Sequence, residues 1–152
     1  MKVGLSTALT LAVTAHLGRA ANVVSSFQDM IDTYVNFGSS SSNPDIFDCD
    51  KWVNLFATNG TAEAPGAPPA AGPSELREDC EGTRGLFQHL TAFSTDVFPV
   101  GELRLAFQWQ LVGTLAGTGN FVHVPAVTTW EMNAKGKIQH AVDYFDPTPL
   151  SQ

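Results

Sequence analysis

Positive charge is scarce in this chain. Eight Lys and Arg stand against 15 Asp and Glu among 152 residues, a net charge of −7. Such a surface repels phosphate backbones, and no basic cluster interrupts it, which argues against nucleic acid as a partner. Charged residues of both signs make up only 15%, while hydrophobic residues reach 43%, the proportions of a folded domain with a sparsely charged surface. Cysteine is scarce too. Cys49 and Cys80 are the only pair, and without a His–Cys spacing beside them no structural zinc site is expected. A phosphate-cradling glycine loop, a Ser–His–Asp order and a metal-ligand motif are all missing, so the sequence calls for no metal and no cofactor. No apolar run is long enough to span a bilayer, because His16 and Arg19 cut short the stretch that starts at Val3.

That stretch has a different use. Lys2, the apolar run from Val3 to Leu17 and the small residues Gly18, Ala20 and Ala21 have the layout of a secretory signal peptide over residues 1–20. Cleavage would follow Ala20 or Ala21; a retained anchor and an apolar N-terminal helix are the alternatives. Removing Lys2 and Arg19 takes the charge from −7 to −9. A secreted or lumenal location agrees with the glycosylation acceptor Asn59-Gly60-Thr61, whose Asn-Gly pair suits a surface turn. It also agrees with the cysteine pair. In an oxidising compartment Cys49 and Cys80 would close a loop of about thirty residues, worth roughly 3 kcal/mol; the alternative is two buried thiols.

The rest reads as helices followed by strands. Ser25 or Ser26 caps a first helix that places Phe27, Met30, Ile31, Tyr34 and Val35 on one face and runs to about Phe37. "GSSSSNP" is a loop. A second short helical stretch starts near Asp45 or Asp48, carries Trp52, Leu55 and Phe56 inward and stops at Asn59-Gly60. "TAEAP" is a brief strand and "GAPPAAGP" an exposed loop. Ser74 caps a third helix through Phe93, with Leu76, Cys80, Leu86, Leu90 and Phe93 as its inner stripe, weakened by Gly82 and Gly85. "LRLAFQWQLVG" then alternates: Leu103, Leu105, Phe107, Trp109 and Leu111 on one face, Arg104, Ala106, Gln108 and Gln110 on the other. "FVHVPAVTTWEM" is a second strand, with a bulge or edge at Pro125. After the turn "NAKGK", "IQHAVDYF" closes an antiparallel meander. The fold class is α+β, a strongly bent sheet wrapped over three N-terminal helices.

This order of elements, with "KWVNLFATNGTAEAPGAPPAAGPSEL" and "GKIQHAVDYFD", resembles the SnoaL-like branch of the nuclear-transport-factor-two-like superfamily, including its limonene-type epoxide hydrolases. The resemblance covers residues 25–146 and leaves 147–152 as a C-terminal tail. It implies a conical barrel around an apolar pocket, and relatives that are polyketide cyclases, ketosteroid isomerases, epoxide hydrolases, dehydratases or proteins without catalysis.

It also implies that Asp143, the first Asp of "D-Y-F-D", turns inward as the acid or base. A carboxyl in an apolar pocket is desolvated and exchanges a proton near neutrality. The rest of the family's machinery departs from both well-known enzymes. The isomerase base would fall on Ala64 and its oxyanion-holding Asp near Thr128. The Arg and Asp of the epoxide hydrolases would fall on Gln108 and Gln110, and their water-holding Tyr and Asn on Ala62 and Ala64. What remains is Asp143 with Tyr34, Gln108, Gln110 and His123 as polar partners, Arg104 as a substitute cation, and Trp52, Trp109 and Trp130 as pocket wall. The expected activity is cofactor-free acid–base cyclisation, isomerisation or epoxide opening of a lipophilic polyketide or terpenoid. A lipophilic-ligand-binding module and a dimerisation scaffold are the alternatives. A homodimer would use the Leu103/Leu105/Phe107/Trp109 side if the Arg104 face lines the pocket.

Overall fold

The structure is a computed structural model that describes residues 27–35 and 48–151. The signal segment 1–20, the caps Ser25 and Ser26, the end of the first helix near Phe37 and the loop 38–44 lie outside the described residues. Helix α1 (27–35) buries Ile31, Tyr34 and Val35, the three- and four-residue spacing of one helical face. Helix α2 (Cys49–Val53) is short and starts at Asp48, whose side chain accepts the Lys51 backbone N–H at 3.1 Å. That bond holds the Asp48 carboxyl below its ordinary range. Strand β1 (Phe56–Glu63), the two-residue β2 (Ala70–Ala71) and helix α3 (Gly72–Gly85) follow. Then come β3 (Phe87–Pro99), β4 (Arg104–Leu115), β5 (Phe121–Met132), β6 (Ile138–Phe145) and a 3₁₀ turn, Thr148–Ser151.

One six-stranded sheet results, in the order β2-β1-β6-β5-β4-β3. Its pairs are antiparallel except β1 with β6, which is parallel, so the expected all-antiparallel meander is corrected at that seam. The inner face follows from alternation. On β4, Leu105, Phe107, Trp109 and Leu111 are buried; on β5, Val122, Val124, Ala126, Thr128, Trp130 and Met132 are buried. These pack with the helices around an aromatic cluster. The Tyr34 ring lies 5.1 Å from Trp130, 5.5 Å from Trp52 and 5.9 Å from Phe107. Pro125 is exposed and sits one residue beyond the last β5–β6 pair, Ala126 with Phe145. There β5 has only one neighbour, so a missing N–H is tolerated.

Three local expectations are overturned. Asn59-Gly60 does not end a helix in a surface turn; both residues lie inside β1, at a register shift against β6. A Cβ at Gly60 would stand 2.8 Å from the Ile138 carbonyl oxygen and 2.9 Å from that of Ala57, so the glycine serves a close backbone approach and not a turn. Helix α3 stops at Gly85 instead of running to Phe93, and it starts before Ser74: the Glu75 carboxylate, not a serine hydroxyl, accepts the Ala71 N–H at 2.9 Å. Beyond Gly82 and Gly85 the Phe-, Thr- and Val-rich segment takes the strand it favours, which leaves Leu86 and Phe93 each 48% exposed. Finally, Leu103 precedes β4 and is exposed, while Leu105, Phe107 and Trp109 turn inward. That face forms the core and is not open to a second copy.

Cys49 and Cys80 form a disulfide across α2 and α3, Cα to Cα 5.9 Å. No helix among the described residues is long and apolar enough to cross a membrane.

Candidate active site

The two carboxylates at the end of "DYFD" part company. Asp146 accepts the Thr148 N–H at 2.9 Å and starts the 3₁₀ turn, which lowers its proton affinity. Asp143 turns inward. Its register partner on β5 is Thr128, fully buried, whose hydroxyl donates to Asp143 Oδ1 at 2.5 Å. Tyr34, reaching across from α1, donates to the same oxygen at 3.1 Å. Trp109 on β4 fixes the direction of the first bond, because its indole N–H donates to Thr128 Oγ1 at 2.8 Å. With one lone pair taken by that donor, the hydroxyl directs its hydrogen to the carboxyl. Among the described residues no hydrogen bond reaches Asp143 Oδ2. One oxygen is thus held in place while the other is left for a ligand.

Burial strips water from this carboxyl and raises it from 3.8 to about 6; the Thr128 and Tyr34 bonds pull the other way, and the negative Asp79 adds to the rise. At that value both protonation states are populated near neutral pH, which suits a general acid or base. The same burial, with the Asp143 charge beside it, pushes Tyr34 well above 10, so Tyr34 stays a neutral donor.

Asp143 opens onto a cavity of about 490 Å³. Trp52, Trp109, Leu111 and Phe145 supply apolar wall; Asp79 and Asp143 supply charge. Its rim is the 65–68 loop, and one side is closed by Pro147, Thr148, Leu150 and Ser151. Residues 147–152, expected as a tail, are corrected by this: as far as Ser151 they fold back as a wall. The size suits a mid-sized ligand.

Several expected members lie elsewhere. Gln108, Gln110, Arg104 and His123 sit on the outer face of the sheet, since neighbours on a strand point to opposite sides and Phe107, Trp109 and Leu111 take the inside. There His123 Nε2 pairs with Gln110 Oε1 at 2.6 Å, and Arg104 with Glu131 at 2.7 Å. None of the four shares the Asp143 cavity. Trp52 and Trp109 do line it, whereas Trp130 lies behind, against Tyr34 and Phe107. Asn59 is exposed on β1. Ala62 and Ala64 leave apolar wall where a water-holding pair would stand. No cluster of potential metal ligands occurs among the described residues.

Two members were missed from the sequence. Thr128 is the one polar residue in the inward register of β5, and Asp79 sits on the Leu76/Cys80/Thr83 stripe of α3, at three-, one- and four-residue spacing. A polar side chain that breaks an apolar register is the signal that finds both.

A bent sheet over helices, closed around a hollow with an inward carboxyl, defines a class of small α+β pocket domains. The chain belongs to the SnoaL-like domain family, which matches residues 45–141. No curated protein matches the sequence. Among solved structures, a candidate SnoaL-like polyketide cyclase from Jannaschia sp. CCS1 is 16% identical with a TM-score of 0.68, over 87% of this chain and 90% of that one. The epoxide hydrolase/cyclase-like enzyme SalBIII, with a role in pyran ring formation in the polyether salinomycin, is 21% identical with a TM-score of 0.56, over 67% and 81%. RV0760c from Mycobacterium tuberculosis, solved with estradiol-17β-hemisuccinate, is 19% identical with a TM-score of 0.60, over 70% and 87%. These likenesses concern the fold.

Proposed function

We propose that this SnoaL-like domain is a cofactor-free acid–base enzyme. Its substrate would be a lipophilic metabolite of polyketide or terpenoid type, taken through cyclisation, isomerisation or epoxide opening. The observation that carries the proposal is Asp143: a desolvated carboxyl near pH 6, anchored through Oδ1 and open through Oδ2, on the wall of an apolar cavity. Its ionised form accepts a proton from carbon next to a carbonyl; its protonated form donates one to an epoxide or carbonyl oxygen. Tyr34 and Thr128 hold the group without titrating themselves. The fold's likeness to a cyclase-like enzyme supports the same reaction class.

The test uses a panel of a β,γ-unsaturated ketone, a terpene epoxide and a poly-β-ketone, with wild type and Asp143→Asn. Turnover should fall about 10²–10⁴-fold in the variant while ligand affinity is kept, and the wild-type pH profile should bend near 6. Unchanged turnover in Asp143→Asn would remove Asp143 from the chemistry. The alternative, a non-catalytic carrier, is favoured by Ala62 and Ala64, which leave Asp143 without a polar partner on that wall. It predicts binding and no turnover in the wild type. A secretory route belongs to the same proposal, supported by the Cys49–Cys80 bridge. N-terminal sequencing of the mature protein and glycosidase treatment at Asn59 check it.

A further inference from the structure

The cavity combines two things that an all-carbon ligand has no use for together. Its walls include the aromatic residues Trp52, Trp109, Tyr34 and Phe145, and the carboxylate residues Asp79 and Asp143 share that lining. Among the described residues no Lys, Arg or His lines it. The ion pairs near these residues lie outside: Arg77 pairs with Asp50, and Glu63 has His140 Nε2 at 3.8 Å on its outer side. Asp79 has neither a hydrogen bond nor an ion pair among the described residues. Asp143 Oδ2 has no partner there either, and the residue is half-buried on the cavity wall.

Unpaired carboxylates inside a partly dry cavity are costly in their charged form, and a cation joining them removes that cost without a proton being taken up. Aromatic rings attract such a cation through their faces, most strongly when it is desolvated. An alkylammonium group meets both conditions: it is apolar on its surface and positive at its centre. A neutral polyketide or terpenoid would leave Asp79 unpaired.

Resting on the reading of this cavity as the ligand site, we propose that the site selects a lipophilic amine. The ligand's protonated or quaternary nitrogen pairs with Asp79, against the aromatic wall, and the body of the molecule reaches Asp143 for proton transfer. Asp79 is then a specificity-determining residue, and Asp143 keeps the chemistry. Thr83, one helical turn beyond Asp79 and also on the wall, leaves room beside the carboxylate that a larger residue would fill.

The test compares two probes that differ only in charge, 2-naphthyltrimethylammonium and 2-tert-butylnaphthalene. Affinities for the wild type, Asp79→Asn and Asp143→Asn are read by tryptophan quenching, since Trp52 and Trp109 line the site. The ammonium probe should bind the wild type at least about ten-fold more tightly than its neutral twin. In Asp79→Asn that preference should fall to about three-fold or less, with the neutral probe bound as before, which also shows that the variant is folded. Equal affinity of the two probes in the wild type overturns the amine proposal and leaves the apolar cavity intact. A preference lost only in Asp143→Asn overturns the assignment to Asp79. Failure of both probes to bind sinks the cavity reading itself, and the amine proposal with it.

Discussion

Replacing Asp143 by Asn should stabilise the protein at neutral pH and do nothing of the kind in acid. The amide has the carboxyl's shape, and its oxygen can still accept from Tyr34 and Thr128; only the option of a negative charge is removed. In the folded chain the carboxyl titrates near 6 and in the unfolded chain near its ordinary 3.8. The native state therefore binds the proton more tightly, and between those values stability falls as pH rises. At about 1.4 kcal/mol per pH unit, that gap corresponds to about 3 kcal/mol. The penalty is absent below pH 3.8, grows through the window to 6 and is complete above it. Urea midpoints for both proteins, taken at half-unit steps from about pH 2.5 to 8 with equal m-values, should give a difference that starts at a constant offset and climbs by about 3 kcal/mol before levelling near pH 7. A flat difference would mean that the carboxyl is as well solvated in the fold as out of it. A difference of opposite slope would mean that a cation faces it. Either result refutes the account of the site.

Other substitutions test the neighbouring links. Thr128→Val removes a bond that lowers the Asp143 value and the acceptor of the Trp109 N–H at this position, so the carboxyl should titrate above 6 in carbon-detected NMR and stability should drop by about 1–3 kcal/mol. Gly60→Ala forces a methyl towards two carbonyl oxygens at the β1–β6 seam and should cost about 1–3 kcal/mol by thermal denaturation. Gln108→Ala and His123→Ala, both on the outer face, should leave probe affinity unchanged and shift stability by no more than about 0.5 kcal/mol; a loss of cavity binding in either would reverse the assignment of the sheet's faces.

Much of the frame can be read from alternation alone. The faces of β4 and β5 separate cleanly because large apolar side chains recur every second residue. Alternation does not say which face is inside, and there the search for polar partners to Asp143 misleads. Placing Gln108 and Gln110 in the pocket would leave Phe107 and Trp109 in water, and burial of two large aromatics outweighs a pair of amide hydrogen bonds. Asp143 is singled out by the family resemblance that "GKIQHAVDYFD" carries, and Tyr34 lies on the apolar stripe of its helix. Their meeting at 3.1 Å joins residues 109 apart in sequence, which local pattern cannot report. The β3 misassignment has a local cause: Leu86, Leu90 and Phe93 fit a helical stripe by spacing, but Gly82 and Gly85 and the β-favouring run after them decide otherwise.

The sulfur bridge between α2 and α3 has a bearing on how the protein should be made. Cys80 adjoins Asp79, and Cys49 lies three positions before Trp52, so one covalent link registers the charged and the aromatic sides of the hollow. Material produced in a reducing cytosol would keep its ladder of strands yet lose this clamp. Affinities gathered from such a preparation would then describe a slacker receptacle than the oxidised one.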